Sequence, residues 1–308
     1  TLRFAHPTKT TNPRTHEPAG NRMHHLWIAL YFPDLSLQVA HRGLIQDLPL
    51  AISAGPSNRP VVFSANNAAL RCGVRREMTI GAAHALCSEL IVLPREESKE
   101  QRALEQVATG VCCFSPNTSL NIQSVLIEVS TTLRLFGGLQ ALLRRVCAAV
   151  RELGYRAIIA VAPTPLAAWL FARARASNAL SSEEKARCGC QDPAQLPQRL
   201  AALPLALFDW PRATLDALAS LAVRRVSDLL ALPRDGVCKR FGASIIDDLD
   251  KAHDRLPDPR VWFAPSEKFA TRIELPAETH DAHLLLLPLR LLQLAIQTTW
   301  KIASWTMM

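Results

Sequence analysis

The sequence Leu26-Trp-Ile-Ala-Leu-Tyr-Phe-Pro-Asp-Leu-Ser-Leu-Gln-Val-Ala40 joins a short apolar run to the start of a helical pattern. Its first five residues predict a buried strand, because a continuous apolar run of this length is typical of strands that are covered on both faces. Apolar residues recur at helical spacing from Leu35, and Asp34 stands where a helix-capping carboxylate is favoured. The stretch therefore predicts a strand that runs directly into a helix over residues 35–43.

The rest of the chain mixes strand and helix patterns. The stretch Ser124-Val-Leu-Ile-Glu-Val-Ser130 predicts a second buried strand, within a strand region near 119–129. Further strands are expected at 48–53, 59–64 and 157–161, and helices at 66–72, 78–86, 100–114 and 139–153. From residue 200 the pattern changes to short helices. These patterns together predict an α+β fold.

These stretches resemble the Y-family (translesion) DNA polymerases, and within them the ImuB-like homologues of bacterial mutasomes. Gly73-Val74 and the segment Ala160-Val-Ala-Pro-Thr-Pro-Leu-Ala-Ala168 extend the resemblance, which covers about residues 25 to 290. It implies a ferredoxin-like palm, small fingers, a helical helix-hairpin-helix thumb and a truncated little-finger domain. The implied boundaries are 1–24 for a disordered basic arm, 25–36 and 100–178 for the palm, 37–99 for the fingers, 179–260 for the thumb and 261–308 for the start of the little finger.

In active members of this family, carboxylates at two strand ends hold the catalytic metal ions. The resemblance places Tyr31 and Pro33 on the first pair of positions, and Gln123 and Ser124 on the second. Two-metal phosphoryl transfer needs anionic oxygens arranged around Mg²⁺. A phenol, a proline, an amide and a hydroxyl do not supply them, so the resemblance implies a non-catalytic protein without a bound metal or cofactor.

The alternative is a weakly active translesion polymerase that uses displaced carboxylates. Asp34 and Glu128 are the candidates, since each lies within a few residues of a vacated position. Asp34 is better explained as a helix cap. Glu128 falls where the family also has an acid that is not a metal ligand.

The positions that would bind the incoming nucleotide also differ from the family pattern. A tyrosine and an arginine of the family fall on Asn67 and Leu70, and a lysine falls on Pro165. A leucine offers no hydrogen-bond donors to a phosphate. Three nearby arginines could supply these donors instead: Arg71, Arg75 and Arg76. A basic face exposed to solvent is the simpler explanation for them.

The thumb-like segment is the candidate DNA-binding element. Residues 218–232, followed by Pro233 and by Lys239-Arg-Phe-Gly242, resemble a helix-hairpin-helix, which binds DNA phosphates without reading sequence. Ala222 occupies a turn position where glycine is usual. The side chains expected to contact the DNA backbone are Arg224, Arg225, Lys239 and Arg240. The alternative is a helical pair that only fills a core.

Composition is compatible with a nucleic-acid partner. The net charge is +8 and the isoelectric point is about 9.3, which favours polyanions but also suits any basic soluble protein. The eight cysteines match no disulfide framework, which predicts a reducing cytoplasm. The pairs at 112–113 and 188–190 are predicted to be buried or incidental thiols rather than zinc ligands. The apolar stretch at 284–308 is interrupted by polar residues, so we expect no membrane span.

The resemblance implies a role in DNA-damage tolerance. Such a protein would bind a primer-template without sequence preference and bridge a sliding clamp, an accessory mutasome protein and an error-prone polymerase. A generic α/β protein with only the polymerase shape is the remaining hypothesis, and it predicts no binding to DNA at low salt.

Overall fold

The computed structural model describes residues 25–40 and 48–265, and the expected basic arm and most of the expected little finger lie outside these ranges. The strands are β1 (Trp27–Tyr31), β2 (Leu50–Ala54), β3 (Val61–Ala65), β4 (Ile91–Pro94), β5 (Thr118–Asn121), β6 (Ser124–Glu128) and β7 (Ile158–Ala162). The helices are α1 (Leu35–Ala40), α2 (Asn67–Arg71), α3 (Ile80–Leu86), α4 (Glu97–Val111), α5 (Leu139–Glu152), α6 (Pro165–Ala176), α7 (Ser182–Ala186), α8 (Leu196–Ala201), α9 (Arg212–Ser220), α10 (Val226–Leu230), α11 (Arg234–Phe241) and α12 (Ala243–Ala252). Short 3₁₀ helices lie at Pro193–Gln195 and Leu205–Leu207.

A four-stranded antiparallel sheet forms the palm. Its strand order is β5-β6-β1-β7, which is the order of a ferredoxin-like fold in which β1, β5, β6 and β7 are the four strands. The region near 119–129, expected to be one strand region, is a hairpin of two strands. Its turn contains Gln123, which has a φ of +48°. The predicted strand at 157–161 is confirmed as β7.

The two faces of the palm sheet are covered by different helices. Ile28 and Leu30 of β1 pack with apolar side chains of α4 and α5. Trp27 and Ala29 point to the other face and pack with α6. Alternation along a strand sends successive side chains to opposite faces, so an apolar run such as β1 is buried on both.

The fingers contain a small second sheet of order β3-β2-β4. Asn66 holds it to α2: its side-chain oxygen accepts from the Ala69 N–H at 2.9 Å and the Leu50 N–H at 3.1 Å, and its amide donates to the Leu48 carbonyl at 2.8 Å. The two predicted finger helices are confirmed as α2 and α3. Strand β4 was not predicted, because its four residues end in a proline and show no alternation.

A buried carboxylate joins the first palm helix to the fingers. Glu100 of α4 is 6% exposed and accepts a hydrogen bond from the Ser36 hydroxyl of α1 at 2.6 Å. Arg95, which directly follows β4, donates to both Glu100 oxygens at 2.9 and 2.8 Å. Burial alone would raise the pKa of Glu100, but the hydrogen bonds from Arg95 and Ser36 outweigh it and hold the pKa below its usual value.

The thumb consists of the short helices from α7 to α12, and it shares one apolar core with α6 and the palm sheet. The Thr164 hydroxyl, which caps α6, donates to the Ala252 carbonyl at the end of α12 at 3.0 Å. After the thumb the chain returns to the palm, where Trp262 stacks on Trp27 with ring centroids 5.9 Å apart and the Phe263 N–H donates to the Thr118 carbonyl at 2.7 Å. The expected α+β architecture is confirmed, while the domain boundaries stay a prediction.

Replacing Glu100 with Gln is expected to destabilise the protein by about 3 kcal/mol, because it removes a buried carboxylate that accepts hydrogen bonds from Ser36 and from the partly exposed Arg95. The matched control is Glu96→Gln. Glu96 pairs with Lys99 at 2.9 Å with both side chains about half exposed, and such a pair contributes less than about 1 kcal/mol. Urea unfolding of both variants at pH 7 tests this. Equal midpoints would contradict the importance of the Glu100 contacts.

Candidate functional site

The two strand ends singled out by the sequence meet in space. Tyr31, the last residue of β1, lies directly opposite Ser124, the first residue of β6. The next residue along, Phe32, donates its N–H to the carbonyl of Gln123 at 2.8 Å. Pro33 follows immediately outside the strand. The four positions thus gather at one end of the palm sheet, which we call the vacated centre (Tyr31, Pro33, Gln123 and Ser124).

The side chains of the vacated centre do not fit a pair of magnesium ions. The Ser124 hydroxyl is buried and has no hydrogen-bond partner within the described residues. Burial raises the pKa of the Tyr31 phenol, against the opposing influence of the positive charges of Arg173 and Arg76. Tyr31 is therefore neutral at pH 7. Neutral oxygens do not replace the carboxylates that Mg²⁺ requires.

Two arginines bring positive charge to the vacated centre. Arg173 of α6 lies over the Trp169 ring, with its guanidinium carbon 4.5 Å from the ring centroid. Trp169 is itself fixed to the β5–β6 turn, because its indole N–H donates to the Ile122 carbonyl at 3.3 Å. Arg76 of the fingers lies 5.2 Å from the Phe63 centroid. Sequence reasoning grouped Arg76 with a basic face and missed Arg173.

The two displaced carboxylates do not converge. Asp34 follows the end of β1 where Tyr31 lies, whereas Glu128 is opposite Trp27 at the other end of the strand. Four residues of extended strand separate these ends by about 14 Å. The metal ions of a two-metal site are only about 4 Å apart. Asp34 and Glu128 therefore cannot form one metal site in this arrangement.

Glu128 has a structural environment of its own. It is 4% exposed and accepts hydrogen bonds from the Asn117 amide at 3.2 Å and the Ser130 N–H at 3.0 Å, and also from the Ser130 hydroxyl. His25 lies 3.7 Å away. Burial opposes its ionisation, but the interaction with His25 and the hydrogen bonds from Ser130 and Asn117 outweigh this and lower the pKa of Glu128 to about 2.

The positions aligned with nucleotide-binding residues are spread over two elements. Asn67 opens α2 and is exposed, and Leu70 of the same helix is 38% exposed. Pro165 is buried in the first turn of α6. Arg75 cannot easily substitute for the missing donors, because it already donates to the carbonyls of Leu70 at 2.7 Å and Val74 at 2.9 Å.

The thumb hairpin contains an unusual turn. Ala222 lies between α9 and α10 with a φ of +61°, in the left-handed region that favours glycine. Arg224 and Arg225 directly precede α10, and the N–H groups of both donate to the Asp228 carboxylate, at 3.0 and 2.9 Å. An internal carboxylate thus occupies the backbone donors that a DNA phosphate would use in such a hairpin.

The four basic side chains expected to contact DNA are all exposed, but one differs from the rest. Arg225 forms an ion pair with Glu184 at 3.1 Å and donates to the Ala202 carbonyl at 2.9 Å. Lys239 and Arg240 lie in the last turn of α11. Among the described residues, no carboxylate lies within ion-pair distance of the side chains of Arg224, Lys239 or Arg240. The positive charges of these three side chains are therefore not offset by an ion pair.

The Cys188 and Cys190 thiols are core residues. Both are buried at the junction of α6 and the thumb, where burial raises the pKa of Cys190 to about 11 and shifts that of Cys188 in the same direction. They are therefore protonated at neutral pH, and their burial agrees with the prediction of buried thiols. Nowhere in residues 25–40 and 48–265 do three or more His, Cys, Asp or Glu side chains form a group that could hold a metal ion. No helix in the described ranges is long and apolar enough to cross a bilayer.

Comparison with known proteins is consistent with this architecture. Residues 28–173 match the impB/mucB/samB (IMS) family. Protein ImuB of Caulobacter vibrioides is 27% identical over 192 residues, which are 62% of this chain and 40% of ImuB. DNA polymerase IV of Yersinia pestis is 25% identical over 201 residues, 64% of this chain and 55% of that protein. The chain thus spans about half the length of these relatives, or less.

A solved structure shows the same fold. DinB from Sulfolobus solfataricus matches with a TM-score of 0.58 and 17% identity, over 76% of this chain and 69% of that one.

The pKa of Glu128 gives the protein a defined acid sensitivity. Because the folded-state pKa lies below the unfolded value of 4.5, the folded state binds fewer protons, and the stabilisation is present above pH 4.5 and lost as the pH falls towards 2. Glu128→Gln should lower the free energy of unfolding by about 2 kcal/mol at pH 7. It should also reduce the dependence of that free energy on pH between about 2 and 4.5. Urea unfolding between pH 2 and 7 measures both; an unchanged pH dependence in the variant would assign the acid sensitivity to other groups.

Ala222→Gly is expected to stabilise the protein by about 0.5–1 kcal/mol, because glycine relieves the left-handed strain at this turn. The control is Ala219→Gly, three residues earlier in helix α9, which should destabilise by a similar amount. Thermal unfolding compares the two variants. If both substitutions lower the melting temperature, the left-handed turn is not strained as described.

Proposed function

We propose that this chain, an ImuB-like homologue of the Y-family DNA polymerases, acts in DNA-damage tolerance as a non-catalytic protein that binds DNA. The observation that carries the proposal is the vacated centre. Tyr31 and Ser124 are juxtaposed where two strand ends meet, and neither is anionic. The family architecture is retained while the chemistry of a two-metal site is not supported by the residues there.

DNA binding is proposed from charge and from the thumb. The net charge of +8 and the exposed cations Arg224, Lys239 and Arg240 favour contact with a phosphate backbone. Asp228 neutralises the backbone donors of the hairpin, so the contacts would come from side chains rather than from the turn. Such contacts position a protein on DNA without specifying sequence.

The resemblance to ImuB-like proteins extends the proposal to partners. In that role the chain would bridge a sliding clamp, an accessory mutasome protein and an error-prone polymerase during induced mutagenesis. The protein would act in a reducing cytoplasm, which is favoured by its eight cysteines because they match no disulfide framework.

Primer extension on undamaged and abasic templates, with Mg²⁺ and then Mn²⁺, tests the non-catalytic assignment. We expect no nucleotide incorporation by protein that still shifts a primer-template in a gel, beside an active Y-family polymerase as the positive control. Incorporation that is abolished by Asp34→Asn would instead identify a weakly active polymerase with a relocated metal site. Failure to shift DNA even at low salt would favour a generic α/β protein.

The double substitution Lys239→Gln/Arg240→Gln is expected to weaken binding to a primer-template about tenfold and to reduce the salt dependence by about two phosphate contacts. The matched control removes two exposed arginines of α5, on the face of the palm sheet that packs against α4 and α5 and not against the thumb: Arg144→Gln/Arg151→Gln. Fluorescence anisotropy between about 50 and 200 mM salt measures both. Equal losses in the two double variants would show that only net charge matters.

A further inference from the structure

The side chains around the vacated centre carry positive charge, whereas the carboxylates of a metal site carry negative charge. Arg173 of α6 stacks on Trp169, whose indole N–H donates to the carbonyl of Ile122, two residues before Ser124, and Tyr31 packs against the apolar core that contains Trp169. The positive charges of Arg173 and, from the fingers, of Arg76 act on the Tyr31 phenol. The end of the palm sheet itself supplies no anion. Ser124 is neutral, and the Gln123 carbonyl already accepts a hydrogen bond from the Phe32 N–H. A free divalent cation would be repelled here, whereas an anion would be attracted.

Arg173 is held in position but not neutralised. Its guanidinium stacks on Trp169, which is anchored to the β5–β6 turn. In the described part of the chain, no carboxylate lies within ion-pair distance of Arg173 or Arg76. Stacking on a ring leaves the N–H groups of a guanidinium directed outward in its plane, where a planar fork of donors suits a phosphate.

Asp34 is the opposing group. It is exposed and follows β1 at the same end of the palm sheet as Tyr31. Desolvation raises the pKa of Asp34, and the positive charge of Arg76 opposes this and favours the carboxylate. Its charge therefore offsets part of the charge of Arg76. Arg173, on the other element, keeps its charge.

We propose that Arg173, Arg76 and the Tyr31 hydroxyl form a metal-independent binding site for a phosphate group. The group can belong to a DNA strand or to the polyphosphate of a nucleotide, since both present the same tetrahedral oxyanion to the arginine donors. The inference deepens the proposed function, because it assigns a binding role to the sheet end that has no carboxylates for metal chemistry.

The test is calorimetric titration of the full chain in EDTA with three probes: tripolyphosphate, dATP and a primer-template. We expect all three probes to bind without metal. Arg173→Gln should lower the affinity about tenfold or more, because it removes charge-assisted hydrogen bonds to the anion. Arg173→Lys keeps the positive charge but loses the planar pair of guanidinium donors, so its affinity should lie between those of the wild-type protein and Arg173→Gln. The control Arg144→Gln removes one exposed arginine from α5, on the opposite face of the palm sheet, and should change affinity less than about twofold.

Asp34→Asn separates an anion site from a relocated metal site. Removing this carboxylate should raise the affinity for tripolyphosphate, because it deletes the nearest negative charge. If binding instead requires Mg²⁺ and is lost in Asp34→Asn, the inference is overturned and a metal site is indicated. Thermal melts confirm that the variants are folded.

The three probes distinguish the site from the wider function. Equal affinities of Arg173→Gln and Arg144→Gln for all probes would overturn the phosphate site, while DNA binding by both would leave the proposed scaffold standing. Binding of tripolyphosphate and dATP through Arg173, with no binding of DNA, would support the site with a nucleotide as its source and would count against the proposed DNA-binding role.

Discussion

The pairing of β1 with β6 and β7 is the constraint on which the rest of the structure depends. Because β1 lies in the middle of the palm sheet, its register fixes which residues meet at both ends. A slip of one residue would move Ile28 and Leu30 from the core of α4 and α5 to the opposite face. The same register sets Tyr31 against Ser124 and Trp27 against Glu128. The chemistry at the two sheet ends is thus a consequence of core packing.

Helix α6 fixes the position of the thumb on the palm sheet, because it packs against both. Its side chains are buried around most of the helix, because it packs against the palm sheet on one side and the thumb helices on the other. A helix that is apolar on all sides is stable only in such a position. Arg173 and Arg175, near its C-terminal end, are more open, and Arg175 donates to the Ile159 carbonyl at 2.6 Å. Arg173 is left facing the vacated centre with its charge available.

Much of the fold could be predicted from the sequence because its strands and long helices are dictated by local apolar patterns. The strand at β1 and the helices α4 and α5 follow from residue types that are close in sequence. The turn position of Ala222 followed from the resemblance, and its left-handed conformation was not predicted. The polar contacts could not be predicted in the same way. Asp228 captures the N–H groups of its own hairpin, and Arg225 pairs with Glu184, which is 41 residues away. Such pairings depend on tertiary distances that no local pattern contains.

The candidate site shows the same division. That Tyr31 and Ser124 would meet followed from the resemblance, whereas the approach of Arg173 did not, because the helix that carries it was not delimited from the sequence. The sequence predicts that Glu128 is not a metal ligand, but no local pattern indicates its partners His25, Asn117 and Ser130, which come from three segments. Two carboxylates in one site repel each other, so neutral residues at Tyr31 and Ser124 remove a cost without disturbing the alternation that builds β1 and β6. The fold is therefore separable from the chemistry, and the arginines of α6 and the fingers then determine the sign of the charge that this sheet end attracts.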